Sequence, residues 1–185
     1  PMVDELLAEA AISLAAVVAL VFGCGPGAFT GVRISVGVAQ GIAFGADIGV
    51  LPVSSLAALA QGCGHEQVLV AVDARMNEVY WGTYRRNREG LVELCGEECV
   101  LPPDQVRFPD GGEWAAVGSG WGLYEKELLG SCGGRISSCD PEALPHARDV
   151  ALLGISAYEA GETLSPEQAL PVYLRNEVAW KKTAI

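Results

Sequence analysis

The chain has 185 residues, half of them hydrophobic, and a net charge of −11 at pH 7. That length allows one large domain or two smaller lobes with real cores. No apolar run approaches the ~18 residues of a membrane span, and the acidic balance argues against direct, tight binding of a nucleic-acid backbone, which needs clustered Lys and Arg.

The longest apolar candidate, 12–22, is too short to span and carries Ser13. The opening residues, Pro1-Met2-Val3-Asp4-Glu5, are acidic where a secretion signal is basic. The densest basic groups are Arg85-Arg86 with Arg88, and Lys181-Lys182. Ordinary solubility explains the acidity as well as any function does. The six cysteines include no C-x-x-C pair, and His65 and His146 stand alone, which argues against a zinc site. An irregular cysteine set of this kind reads as reduced thiols in a cytoplasmic protein.

In chain order, 2–10 predicts a helix with Met2, Val3, Leu6, Leu7 and Ala10 on one stripe and Asp4, Glu5 and Glu9 opposite. Residues 16–22 (AVVALVF) form a continuous apolar run, the pattern of a strand buried on both faces. A glycine-rich turn follows at 23–31, with Thr30 as expected N-cap of a helix over about 31–44. Gly37, Gly41 and Gly45 recur on one ridge of that helix, beside a row of Ser35, Ala39 and Ala43. Each glycine costs a helix about 1 kcal/mol relative to Ala, so the ridge predicts that another backbone, in a core or a subunit interface, comes close. Residues 48–53 predict another buried strand, with Ser54 or Ser55 capping a helix to about 60. The first 62 residues therefore read as an α/β layer with parallel strands.

A polar break at 62–67 marks a boundary. Beyond it, 68–73 and 78–84 predict an antiparallel hairpin around the turn Arg75-Met76-Asn77, with 91–94 as a third strand. A short strand at 115–117 leads through Gly118-Ser119-Gly120 into a helix near 122–129. A further helix is expected over 147–160, and an extended segment around Pro171-Val172-Tyr173-Leu174-Arg175-Asn176.

Few residues suggest chemistry. Gly25 and Gly27 precede a helix, where free N–H groups suit a phosphate, yet no Lys-Ser/Thr follows and Pro26 removes one N–H. Gly118, Ser119 and Gly120 form a second candidate nucleotide contact, explained equally well as a tight strand-to-helix turn. Asp73 ends an apolar strand and could hold a metal; pairing with Arg75, or capping the turn, is the competing role. Arg33 could meet a phosphate, a partner carboxylate, Asp47 or Asp4. Two isolated histidines support neither a nucleophile–His set nor a metallopeptidase.

Taken together, Gly25-Pro26-Gly27-Ala28-Phe29-Thr30-Gly31-Val32-Arg33-Ile34, then 41–45, then Val53-Ser54-Ser55-Leu56-Ala57-Ala58-Leu59-Ala60 resemble the TsaB family, also called YeaZ. Asp73-Ala74-Arg75 with Glu78-Val79-Tyr80, and Pro171-Val172-Tyr173-Leu174-Arg175, resemble it in the same order. The resemblance implies an α/β, actin-like ATPase (ASKHA) fold of two ribonuclease-H-like lobes, here 1–62 and 66–165, and an extended tail, 166–185. The family also has a strand hairpin ahead of residue 1, so N-terminal strands are expected to be missing from this chain.

In function, the resemblance implies threonylcarbamoyladenosine synthesis on tRNAs reading codons that begin with A. The expected role is a non-catalytic scaffold bound to a TsaD-like catalytic subunit, with a TsaE-like ATPase joining them and a homodimer forming without the partner. The catalytic relative carries a metal-binding histidine pair that this sequence does not match. Contact with tRNA is expected only indirectly, and no cofactor is expected on this chain alone, ATP or ADP belonging at a complex interface. Family pairing uses the first two helices, which implies interface roles for Met2, Val3, Leu6, Leu7 and Ala10, and for Phe29, Thr30, Arg33, Gly37 and Gly41. The alternative is that both faces pack internally. Competing functions are an ATP-binding sugar-kinase-like enzyme and an inactive glycoprotease-like homologue.

Overall fold

A computed structural model describes residues 2–109, 111–132 and 136–175. Pro1, Asn176, Lys181-Lys182 and the rest of the expected tail beyond 175 lie outside the described residues.

The first helix, α1, spans Met2–Glu9, and Ala10 closes it as a turn, its N–H bonding Leu6 O at 2.9 Å. Strand β1 is Ala19–Gly25, three residues later than the apolar run predicted, because Leu14–Ala16 winds into a 3-10 turn. It continues through Gly23 and Gly25, whose lack of side chains masked their strand character in the sequence. Helix α2 (Phe29–Ala46) crosses over to β2 (Gly49–Ser54), which runs parallel to β1 from Ala19↔Gly49 to Gly25↔Ser54. This is the right length of connection for parallel pairing. Thr30 is not the N-cap: α2 starts at Phe29 after Ala28, whose carbonyl already accepts from Val32 N–H.

Helix α3 (Ser55–Cys63) begins as expected, with the Ser54 hydroxyl accepting from the Leu56 and Ala57 N–H groups. It ends at Gly64 in the left-handed region, φ 74°. Ser54→Ala is expected to cost about 1 kcal/mol through loss of the cap, read as a lowered melting temperature by circular dichroism.

The larger sheet holds β3 (Gln67–Asp73), β4 (Val79–Arg86), β5 (Val92–Leu94), β6 (Cys99–Leu101), β7 (Trp114–Val117) and β8 (Ile136–Asp140). Its order is β5-β4-β3-β7-β8, with β6 also on β4. The β3–β4 hairpin is antiparallel, whereas β3–β7 and β7–β8 are parallel. Strands β6 and β8 escaped the sequence reading: one is three residues long, and the other, ISSCD, is a mostly exposed edge without an apolar face. The helix expected near 122–129 is two helices, α4 (Ser119–Leu123) and α5 (Glu125–Cys132), because Tyr124 leaves helical geometry at φ −126°. Helix α6 spans Ala147–Glu159, capped by the His146 ring nitrogen, which accepts from Arg148 N–H.

Alternation along β3 divides the core. Leu69 and Ala71 face Trp81, Trp114 and Trp121, while Val68 and Val70 face Leu56, Leu59 and Ala60 of α3. The Trp81 and Trp121 rings lie 6.2 Å apart, with Phe108 edge-on to Trp81 at 5.3 Å. Trp121 Nε1 donates to Leu69 O at 3.3 Å, which satisfies its one polar atom. Against the smaller sheet, α2 buries Val36, Ala39 and Ala43 with Phe22, Cys24 and Val50.

Candidate functional site

Helix α2 buries one stripe and exposes another that is just as apolar. Val32, Val36, Ala39 and Ala43 are buried; Phe29, Ile34, Val38 and Phe44 are each more than half exposed. Between the exposed side chains lie Gly37, Gly41 and Gly45, and a methyl placed on any of them meets nothing within 4 Å. Helix α1 buries no residue: Met2 is 74% and Leu6 59% exposed, Val3 and Ala10 are exposed, and Leu7 is half-buried. The close backbone approach that the glycine ridge predicted is thus not made among the described residues of this chain. Close approaches occur at other glycines. A β-carbon on Gly154 of α6 would stand 2.3 Å from Val21 Cγ1, and one on Gly120 would stand 3.0 Å from the Ala71 backbone. A stripe of single large apolar residues set among glycines is a surface suited to a second helix rather than to water.

Arg33 meets Tyr173 and Phe29, which were not among the partners weighed for it. Its Nε donates to the Tyr173 hydroxyl at 2.7 Å, and its guanidinium lies 3.5 Å from the centre of the Phe29 ring. No sequence spacing signals this contact, since Tyr173 arrives from the other end of the chain. Thr30 and Phe29 sit exposed in the same first turn.

The two glycine turns converge on one cleft of about 720 Å³, into which Gly27 and Gly31 project from one side and Ser119 and Gly122 from the other. Gly25 and Gly118 have φ of +104° and +101°, and Gly118 and Gly120 pack tightly on the Ala71 backbone. Conformation and packing account for these three. Ser119 Oγ accepts from Asp73 N–H at 3.1 Å. Among the described residues the remaining lining is largely aliphatic, with Leu123, Leu144 and Pro145 at it, Glu142 as its one charged side chain, and no Lys or Arg. A triphosphate site draws on cations or a cradle of N–H groups.

Asp73 takes the structural role weighed for it: it accepts from Arg75 N–H at 2.9 Å and pairs with the Arg75 guanidinium at 3.2 Å. Among the described residues no three His, Cys, Asp or Glu side chains converge on a point that could hold a metal ion. Nor is the Arg85-Arg86 pair a free basic patch. Arg86 donates to the carbonyls of Gln61, His65 and Gly90, and Arg85 lies over the Trp114 ring.

One polar cluster went unseen in the sequence. Glu98 Oε1 accepts from both the Ser54 and the Tyr84 hydroxyls, joining the start of α3 to β4. Burial, then the Glu98 charge, pushes the Tyr84 phenol far above its usual range. The same two causes raise the Cys24 thiol to about 11. A folded-state value above the unfolded one gives stability that is complete below the unfolded value and is lost as pH climbs towards 11. Cys24 is also only 4% exposed. It is expected to resist iodoacetamide at about pH 8, where its thiolate is scarce, and to react only after denaturation, as peptide mass spectrometry will read.

The chain is similar along nearly its whole length to proteins of one kind. It is 43% identical over 189 residues to the tRNA threonylcarbamoyladenosine biosynthesis protein TsaB of Escherichia coli K12, covering 98% of this chain and 81% of that protein. The chain belongs to the TsaB (YeaZ) family. The Haemophilus influenzae TsaB is 40% identical, covering 98% of this chain and 80% of its own. A family model described as "TsaD: tRNA N6-adenosine threonylcarbamoyltransferase" matches residues 1–124. Among solved structures, YeaZ from Pseudomonas aeruginosa superposes with a TM-score of 0.85 at 47% identity, covering 94% of this chain and 82% of that one. A Pseudomonas aeruginosa protein described as similar to peptidase YEAZ gives a TM-score of 0.88 at 48% identity, covering 95% and 82%. The fold is accordingly the mixed α/β, actin-like ATPase type expected from the sequence.

Proposed function

We propose that this TsaB-family chain acts in tRNA threonylcarbamoyladenosine biosynthesis as a scaffold, docking a TsaD-like catalytic subunit through the outer faces of α1 and α2. The observation that carries the reading is the exposed stripe of Ile34, Val38 and Phe44 around open glycines, together with a second helix, α1, that buries no residue. Apolar surface of this kind gains about 25 cal/mol for each Å² removed from water, and glycines let a facing helix approach closely. The same face serves a homodimer when the partner is absent.

The division into lobes at 62–66 belongs to the same reading, with the cleft between the glycine turns as the junction. Bond-making is assigned to the partner and to a TsaE-like ATPase. Contact with tRNA is indirect, in keeping with the charge of −11 and the internal engagement of Arg85 and Arg86. The aliphatic, acid-lined cleft supports a further part of the proposal: this chain alone binds no ATP or ADP, and a nucleotide needs cations from a partner. Titration calorimetry with Mg-ATP is expected to give no saturable heat on the free chain; a saturating isotherm in the micromolar range would favour the sugar-kinase-like alternative. The scaffold role is tested by reconstituting tRNA modification from purified components with and without this chain. Modification at an unchanged rate without it refutes the scaffold role.

A further inference from the structure

The segment after α6 runs from the small sheet to the large one. Leu164 bridges to Val50, the Gln40 side chain donates to Ala169 O at 3.0 Å, and Val172 N–H donates to Cys24 O at 2.8 Å. Tyr173 then reaches the N-terminal turn of α2, accepting from Arg33 Nε at 2.7 Å with its ring 6.1 Å from that of Phe29. Two residues on, Arg175 reaches the tip of the β3–β4 hairpin. Its guanidinium donates to the carbonyls of Ala74 at 3.1 Å and Arg75 at 3.4 Å, to the Met76 sulfur at 3.4 Å, and to the Glu78 carboxylate.

That tip has an unusual backbone. Arg75, Met76 and Asn77 have φ of 62°, 57° and 60°, three consecutive non-glycine residues in the left-handed region. L residues visit it reluctantly and singly, so a run of them persists only where surrounding contacts over-determine it. Asp73 fixes the Arg75 N–H and guanidinium, and Glu78 N–H donates to Arg75 O at 3.1 Å. Arg175 Nη2 faces the carbonyls of Ala74 and Arg75 and the Glu78 carboxylate while Nη1 reaches the Met76 sulfur, a planar two-nitrogen span that a single lysine ammonium does not reproduce.

We propose that residues 172–175 are a strap coupling the outer face of α2 to this hairpin tip, with Arg175 as the positioning residue that holds the tip in its left-handed form. Tyr173 and Arg175 are joined by one residue of backbone, so a shift of Tyr173 on Phe29 and Arg33 is transmitted to the fork. The strap itself stands on contacts within this chain; only its use rests on the docking proposal, since an occupant of the α2 face that moves Arg33 or Phe29 changes the state of the tip.

Hydrogen–deuterium exchange on the whole chain, read by NMR, tests the coupling without a partner. Arg175→Lys keeps the charge and loses the fork; the Ala74 and Glu78 amides, bonded across the tip, are expected to exchange about tenfold faster, with the β3–β7 ladder unchanged. Tyr173→Phe keeps the ring and removes the hydroxyl that Arg33 reaches; the same amides are expected to exchange about threefold faster. Unchanged tip exchange in Arg175→Lys overturns the strap and the positioning role of Arg175. A tip that responds to Arg175→Lys but not to Tyr173→Phe overturns the coupling and leaves a local clamp. Either failure leaves the docking proposal intact, because no partner enters the measurement, and loss of docking leaves the strap intact.

Discussion

Val38→Asp or Gly41→Glu is expected to weaken association with a TsaD-like partner by about a hundredfold, with the melting temperature of the free chain moving by no more than about 2 °C. Both positions are exposed, and the space above Gly41 is open in the free chain. A carboxylate there is hydrated at no structural cost, and Glu is a better helix former than Gly by about half a kcal/mol or more. Once a second helix covers the stripe, the same carboxylate must lose its water without gaining a partner, which costs several kcal/mol. Surface plasmon resonance on the purified pair reads the affinity, and a thermal melt of the free chain reads the fold. Full affinity in both variants places the docking surface elsewhere. A matched change at Leu6 of α1, also exposed, is expected to weaken binding in the same direction.

Gly154→Ala is expected to destabilise the chain by about 2–3 kcal/mol, read by urea denaturation. Helix α6 lies across β1 at this glycine, and an added β-carbon would meet Val21 Cγ1, Cγ2 and Cβ at 2.3, 2.5 and 2.9 Å. Valine is branched at its β-carbon and has little rotamer freedom with which to move aside. Helix and strand must therefore separate, and the packing on either side of the contact loosens with them. Gly37→Ala on α2 carries the opposite expectation: the position is open, so removing backbone freedom from the unfolded chain stabilises by about 0.5–1 kcal/mol. The two variants share one chemical change and differ only in what faces the new methyl group. Opposite signs in one denaturation series would establish that α6 packs by close approach and that the α2 ridge is open in the free chain.

The helix and strand alternation of the first 63 residues was legible because its signals are local. An amphipathic stripe, apolar runs and a serine cap each act over a few neighbouring residues, and Ser54 caps α3 as its spacing suggests. Where a boundary depends on a distant partner, the local signal misleads. Strand β1 runs to Gly25 because β2 offers a ladder there, and β8 forms from a polar segment because β7 presents an open edge. The hairpin turn at Arg75-Met76-Asn77 was readable as a turn, but its left-handed backbone was not, since the fork that steadies it comes from Arg175, 100 residues away from Arg75.

By itself the sequence determined the class of fold, the family resemblance and the presence of a glycine ridge with a small-residue row beside it, because periodicity and motif spacing are properties of the chain. Only the tertiary structure decided which glycines are crowded and which are open, and where Arg33, Glu98 and Arg175 find their partners. Those outcomes depend on which surfaces meet across long sequence separations. A side chain carries no record of the surface that will face it until the backbone has closed around it.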